Sequence, residues 1–421
     1  MPAQLIRNGT LIDGTGAEPL QNAGVLIENG QIKAAGAVQS LPYLDDVEEI
    51  DAQGGYILPG LIDAHVHVMI EGMDLGAALQ RPFSYMFYRA IPFLERTLEC
   101  GLTSVRDAGG ADAGVKKAIE DGIVRGPRLQ ISINAITTTG GHGDSWRPAG
   151  FSTPLFLEYP GFPAGIADGI EELRKKVREM LRAGAEVIKV HSTGGVLSPT
   201  DHPEFTQYCV EELRVLVEEA RFRKGLRVMA HAQGAEGIKN AIRAGIHSIE
   251  HGIYVDDEAI EMMLEAGTFL VPTLLAPVGV IEQAEQQGLM PEYGIRKAKE
   301  VQQAHFENIA RAYRAGVKIA MGTDSAVTPH GTNLRELGLM ADIGMTPMDV
   351  IVATTKVAAE CLGWEDRVGT LEAGKLADVV VTSVDPLANI HELANNEVIS
   401  LVIKGGVIEK DRRPAQVLAT A

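Results

Sequence analysis

Six side chains able to hold a metal ion stand at the ends of apolar runs in this chain: His65, His67, Lys189, His231, His251 and Asp324. Leu61, Ile62, Ala64, Val66 and Val68 make a run that reads as a buried parallel strand, opened by the turn pair Pro59-Gly60. Side chains alternate across a strand, so Asp63, His65 and His67 share one face, where two imidazoles can meet one cation. Taken alone, two core histidines bonded to backbone explain a His-x-His equally well. Lys189 lies in Val187-Ile188-Lys189-Val190, a strand that should be buried, and a lone buried lysine is expensive. Snorkelling to the surface is the alternative, but a central strand offers little surface. A neutral lysine amine can add carbon dioxide to form a carbamate, an anion that bridges two divalent cations as a carboxylate would. His231 ends Val228-Met229-Ala230, His251 follows Ser248-Ile249-Glu250, and Asp324 follows Met321-Gly322-Thr323.

The elements that must position these groups alternate. After the opening run come apolar stretches at 103–108, 129–136, 187–190, 227–232, 247–253, 268–275 and 317–321, eight strands in all. Amphipathic segments separate them, among them Phe87 to Cys100, Asp168 to Ala183, Cys209 to Lys224 and Arg296 to Ala315. Eight strands alternating with helices predict an α/β fold, a (β/α)8 TIM barrel over residues 58–361. A doubly wound open sheet is the alternative, weakened because no Gly-x-Gly-x-x-Gly follows a strand. In a barrel all six groups sit at the C-terminal ends of strands one, four, five, six and eight, the catalytic face. Two long loops are expected on that face, Thr137 to Ala167 with Gly140-Gly141-His142-Gly143, and Ala276 to Gly294.

Both chain ends read differently. Residues 4–7, 23–28 and 31–36 are short strands, with Asn29-Gly30 where a hairpin should bend. Residues 375–381 and 398–404 look alike, so 1–57 and 362–421 are expected to build one small β-sandwich domain. The chain has 421 residues, too many for one ordinary core. Acidic residues outnumber basic ones, 56 to 38, which gives the formal charge of −18 and argues against nucleic acid and anionic membranes as partners. Cys100, Cys209 and Cys361 are widely spaced and odd in number, which points to a reducing compartment. No signal peptide or membrane span is read, so a cytoplasmic location is expected. The expected partners are a small-molecule substrate and further copies of the chain in a homo-oligomer.

The stretch Pro59-Gly60-Leu61-Ile62-Asp63-Ala64-His65-Val66-His67 resembles the opening signature of the amidohydrolase superfamily. The likeness runs to Gly369-Thr370-Leu371-Glu372-Ala373-Gly374-Lys375-Leu376-Ala377-Asp378 near the C-terminus. Lys189, with Gly140-Gly141-His142-Gly143, is similar to the prolidase-like group, whose members cleave dipeptides and N-acyl amino acids and in some cases ochratoxin. The resemblance implies two Zn2+ ions bridged by N6-carboxylated Lys189. His65, His67 and Asp324 would hold the buried ion; His231 and His251 would hold the outer one. It implies attack on an amide carbonyl by a hydroxide shared between the metals, with Asp324 passing a proton to the leaving nitrogen. His142 and Tyr254 are the candidate donors to the oxyanion or to a substrate carboxylate, with Arg147 as an outside candidate. A loop histidine capping backbone and a rim aromatic are the bland alternatives for the first two. His191 could line the pocket or simply be bonded to backbone. His330 could shape the site, while His202, His247, His305 and His391 read as structural or exposed. Arg81 is a loop cation. Rival activities on the same metals are a lactonase or a cyclic-amide hydrolase such as an imidazolonepropionase-like enzyme; Lys189 argues against single-metal deaminases. A non-catalytic scaffold should have lost ligands, and none is missing.

Overall fold

The computed structural model describes residues 3–72, 80–147, 149–287 and 292–413. Both chain ends meet in one eight-stranded sheet. Its N-terminal strands are β1 (Ala3–Leu11), β2 (Leu20–Glu28), β3 (Gln31–Ala37), β4 (Val47–Asp51) and β5 (Tyr56–Pro59). Its C-terminal strands are β16 (Val379–Thr382), β17 (Ile399–Lys404) and β18 (Val407–Asp411). The order is β18-β17-β16-β5-β1-β2-β3, with β4 beside β1. The β2–β3 hairpin turns at Asn29 and Gly30, both at positive φ (54° and 76°), as a two-residue turn matched to strand twist requires. Ile6, Val25, Ile57, Val379 and Leu401 bury the inward face. β4 was not expected; it pairs parallel with β1 and fills that edge.

Between the ends, parallel strands alternate with helices. β6 (Leu61–Val66), β7 (Leu102–Asp107) and β8 (Arg128–Ile131) form one sheet. β9 (Ala135–Ile136), β12 (Val187–His191), β13 (Arg227–Ala232), β14 (Ser248–His251) and β15 (Phe269–Val271) form another. Helix ends repeat one device. Gly184, Gly245 and Gly267 each take the left-handed conformation that closes a helix just before the next strand. The helix Gly169–Ala183 buries Leu173, Val177 and Met180 on one face; Arg174 and Arg178 on the other pair with Glu219 of the next helix.

Three expectations need correction. The single strand expected at 129–136 is broken at Ile133, whose φ is 69°; β8 pairs with β7, while β9 pairs with β12. A β-branched residue in that conformation marks a sharp bend, and it splits the strand between the two sheets. The expected eighth strand has no ladder of its own. Residues 317–325 instead run between β15 and β6 through Ala320 N to Leu270 O (2.9 Å), Ala64 N to Met321 O (2.9 Å) and His67 N to Ser325 O (2.8 Å). The loop expected at 276–294 is mostly helical: Leu275–Gln287 and Glu292–Ala315 are helices, and 288–291 lie outside the described residues. Pro277 falls in the first turn of the first of these helices, where a helix tolerates proline. The 137–167 loop does remain long and carries a two-residue-per-strand hairpin, β10 (Trp146–Arg147) with β11 (Phe151–Ser152). No helix among the described residues is long and apolar enough to cross a membrane.

Candidate metal centre

His65 is the penultimate residue of β6, Lys189 lies in β12, His231 in β13 and His251 at the end of β14. His67 follows β6, and Asp324 sits in the segment alongside it. Asp324 N donates to His65 O (2.8 Å). The side chains converge. Asp324 Oδ1 is 3.5 Å from His65 Nε2 and 3.3 Å from His67 Nε2. Lys189 Nζ is 3.5 Å from His65 Nε2. One ligand atom from each of His65, His251 and Asp324 falls within 4.8 Å of the others. The His231 ring lies 4.5 Å from that of His251. All six predicted ligands therefore come to one place. His251 (φ 72°) and Asp324 (φ 57°) do so through left-handed backbone, a strained conformation typical of functional sites.

The outer ring atoms show which lone pairs are free. His65 Nδ1 donates to Glu250 Oε2 (2.8 Å) and His67 Nδ1 to Gly109 O (2.8 Å). His251 Nδ1 is bonded to Thr273 Oγ1 (2.6 Å). These three leave Nε2 for the centre. His231 reverses the pattern: Nε2 donates to Gly194 O (3.0 Å), which leaves Nδ1. Each ring is thus oriented by an outer partner, as histidines that ligate metals are. Burial holds His65, His231 and His251 well below the ordinary imidazole range, so their lone pairs are available. Burial opposes charge on His67 and Asp324 as well, but their mutual contact prevails, raising the histidine and lowering the carboxyl. Burial lowers Lys189 to about 8. Roughly a tenth of that amine is then neutral at pH 7, the form a carbamate requires. A set of imidazoles, one carboxylate and a modifiable amine suits divalent cations such as zinc.

The centre faces two chambers. An inner one, about 580 Å³ with the open solvent at its mouth included, is lined by Val196, Ile253, Val280 and His305 beyond His231 and His251. An outer one, about 1860 Å³ on the same measure, is lined by Arg147, Thr153, Leu155 and Phe156. His67, His142, His191 and Asp324 line both. His142 is brought in as expected: its ring stacks on His231 at 4.4 Å, and Nδ1 donates to Ser198 Oγ (2.8 Å). Ser198 in turn bonds Asp201, and Lys297 holds that loop through the carbonyls of Gly195, Ser198 and Asp201 (2.6–2.9 Å). Tyr254 is not brought in. The chain turns at His251 and Gly252, both at positive φ; Ile253 takes the lining position, and the half-buried Tyr254 lines neither chamber. Arg147 does line the outer chamber, its Nε donating to Thr153 Oγ1 (2.7 Å). Arg81 lines neither; its guanidinium lies near the Tyr85 ring. His191 lines both chambers, whereas His330 is buried away from them, Nε2 donating to Ile70 O (2.8 Å).

Sequence reading missed His305, which lines the inner chamber and donates from Nε2 to His251 O (2.9 Å). It also missed Glu250, Arg106, Thr273 and the Asp201–Ser198 link. Glu250 and Arg106 carried a usable signal: like Lys189, each is a charged residue inside an apolar strand. Thr273, Ser198 and Asp201 carried none.

A profile of the amidohydrolase family matches residues 56–408. Ochratoxinase of Aspergillus niger is 36% identical to this chain, spanning 96% of it and 86% of its own length. The solved structure of a Xaa-Pro dipeptidase with methionine bound in its active site is similar at a TM-score of 0.87 and 34% identity, covering 96% of this chain and 99% of that one. A prolidase complexed with N-methylphosphonate-L-proline is similar at a TM-score of 0.89 and 34% identity, covering 97% of this chain and all (100%) of that one.

Proposed function

The chain belongs to the amidohydrolase family, in its prolidase-like group, and from that premise we propose that it hydrolyses dipeptides or N-acyl amino acids at a two-metal centre. The substrate class is an amide whose leaving nitrogen belongs to an amino acid with a free carboxylate, Xaa-Pro-type or ochratoxin-like. One observation carries the reading. Four imidazoles, each oriented by an outer partner, gather with Asp324 and Lys189 where two chambers meet, and His65 and His67 turn Nε2 toward Asp324.

His65, His67 and Asp324 would hold one divalent ion and His231 and His251 the other, carboxylated Lys189 would be a further ligand, and zinc is the proposed metal. Such a pair supplies Lewis acidity and a nucleophile at neutral pH. The chain's own groups do the rest. Asp324 Oδ1 takes the proton released when water adds to the carbonyl carbon and gives it to the leaving nitrogen, which otherwise departs poorly. His142 reaches both chambers and is the proposed partner for the developing oxyanion or the substrate carboxylate. Arg147 is a cation in the outer chamber lining. Tyr254 contributes only to a substrate that extends past Ile253. We further propose that 58–361 form a (β/α)8 barrel and that 1–57 with 362–421 form a β-sandwich domain.

The test is metal analysis of the purified chain together with a screen of dipeptides and N-acyl amino acids. Close to two ions per chain, activity abolished by chelation and restored by zinc, and at least a tenfold preference in kcat/KM for acid over carboxamide substrates are expected. Full activity without metal, or preference for a lactone or cyclic amide, would overturn the proposal.

A further inference from the structure

Several fully buried charged groups among the described residues are not proposed ligands. Arg106, on β7, and Glu250, on β14, are both fully buried. Their strands belong to different sheets, so their contact crosses the interior. Arg106 Nη2 donates to Glu250 Oε1 (2.9 Å), which also accepts from Ser248 Oγ (2.6 Å). Glu250 Oε2 accepts from His65 Nδ1 (2.8 Å). Arg106 Nε donates to Ala64 O (2.7 Å), the carbonyl just before His65. One ion pair therefore grips both the ring of His65 and the backbone that carries it.

Stability alone is a poor account of this arrangement. Removing two charges from water is costly, and well-packed apolar residues of similar volume often serve as well or better. The pair is also imperfect, since Arg106 Nη1 has no hydrogen-bond partner. Its geometry is specific in another respect. A carboxylate accepting from Nδ1–H excludes the tautomer with a proton on Nε2, and Nε2 is the atom turned toward Asp324 and Lys189. An anion on that hydrogen bond also raises the basicity of the opposite nitrogen. Arg106 keeps the carboxylate in place through one oxygen and leaves the other to the ring.

We propose that Glu250, held by Arg106, is the positioning residue that fixes His65 as an Nε2 ligand and thereby sets the affinity of the metal centre. This rests on reading the centre as a metal site, but the state of the ring can be examined without metal.

In the full chain labelled with ¹⁵N-histidine and stripped of metal, nitrogen chemical shifts should show His65 neutral and protonated at Nδ1. A proton at Nε2 overturns the proposal whether or not metal binds. The second arm measures zinc affinity by competition with a chelator, beside urea unfolding, for Glu250→Gln and for the double variant Arg106→Met/Glu250→Met. Glu250→Gln should raise the zinc Kd about 10–100-fold. The double variant removes both charges at once and should regain stability while the Kd stays raised. Recovery of both would show a structural ion pair only and overturn the assignment. If neither variant folds, the tautomer of the wild-type chain decides. Failure of the wild-type chain to bind zinc at all would instead refute the functional reading, with the tautomer result still standing on its own.

Discussion

Gly322→Ala adds one methyl where residues 317–325 pass between β15 and β6. A Cβ there would lie 2.3 Å from Val271 Cγ1, 3.1 Å from His65 Cβ and 3.2 Å from His65 N. Carbon atoms meet comfortably at about 3.5–4.0 Å, so the gap to Val271 falls short by roughly 1.2–1.7 Å. Val271 is fully buried and stiff at χ1, so it cannot swing clear. Gly322 does not occupy the left-handed region, so alanine brings no backbone strain and gains about 0.4–1 kcal/mol by restricting the unfolded chain. Overpacking costs about 1–3 kcal/mol, and the net loss should be about 1–2 kcal/mol. Relief requires the segment to move away from His65 and carry Asp324 with it, opening the 3.5 Å and 3.3 Å gaps to His65 and His67. Metal affinity should fall about 10–100-fold, the usual effect of disturbing the support of a ligand. Urea unfolding and chelator competition measure the two quantities. Adding Val271→Ala removes the deepest contact and should return stability, while the approach to His65 keeps the affinity low. Stability within about 0.5 kcal/mol of wild type, the range of an innocuous surface change, together with unchanged zinc affinity, would refute this account of the close approach.

Lys189→Ala should lose metal and turnover together, and a short carboxylic acid added to the medium should restore part of both; a variant with both metals and normal rates would eliminate the carbamate. Asp324→Asn keeps an oxygen but cannot take a proton, so metal should stay while kcat falls by roughly 10²–10⁴-fold, and unchanged turnover with metal bound would exclude Asp324 as the shuttle. Burial raises the Glu336 carboxyl from its ordinary 4.5 to about 8, against backbone N–H donors from Leu274 (2.8 Å) and Leu275 (2.7 Å). A raised acid stabilises the fold fully below about pH 4.5, and that contribution is lost as pH rises through 8, up to about 5 kcal/mol in all. The urea midpoint should therefore fall between pH 5 and pH 8.5 in wild type and stay flatter in Glu336→Gln; equal slopes would show that Glu336 is not the source.

Much of the site was legible because its signals are local. The two-residue period of a strand puts Asp63, His65 and His67 on one face wherever that strand ends up. The cost of burying a charge marks Lys189 in an apolar run without reference to any neighbour. Asn29-Gly30 demands its turn from backbone sterics alone, and the structure has that turn. The stretch 276–294 shows where local reading fails, because Pro277 is compatible with a loop or with the first turn of a helix, and the burial of Leu275 and Val280 belongs to the fold. Tyr254 shows the same at the site. Left-handed backbone at His251 and Gly252 decides which of two adjacent side chains lines the chamber, and the type of His251 does not announce it. The tautomers were the least accessible feature. His65 is oriented by Glu250, 185 positions away, and His251 by Thr273 beyond the next helix. A ring nitrogen is selected by whatever acceptor the other nitrogen meets. That meeting depends on which strands become neighbours and in what register, so the ligand residues belong to the sequence and their lone pairs to the fold.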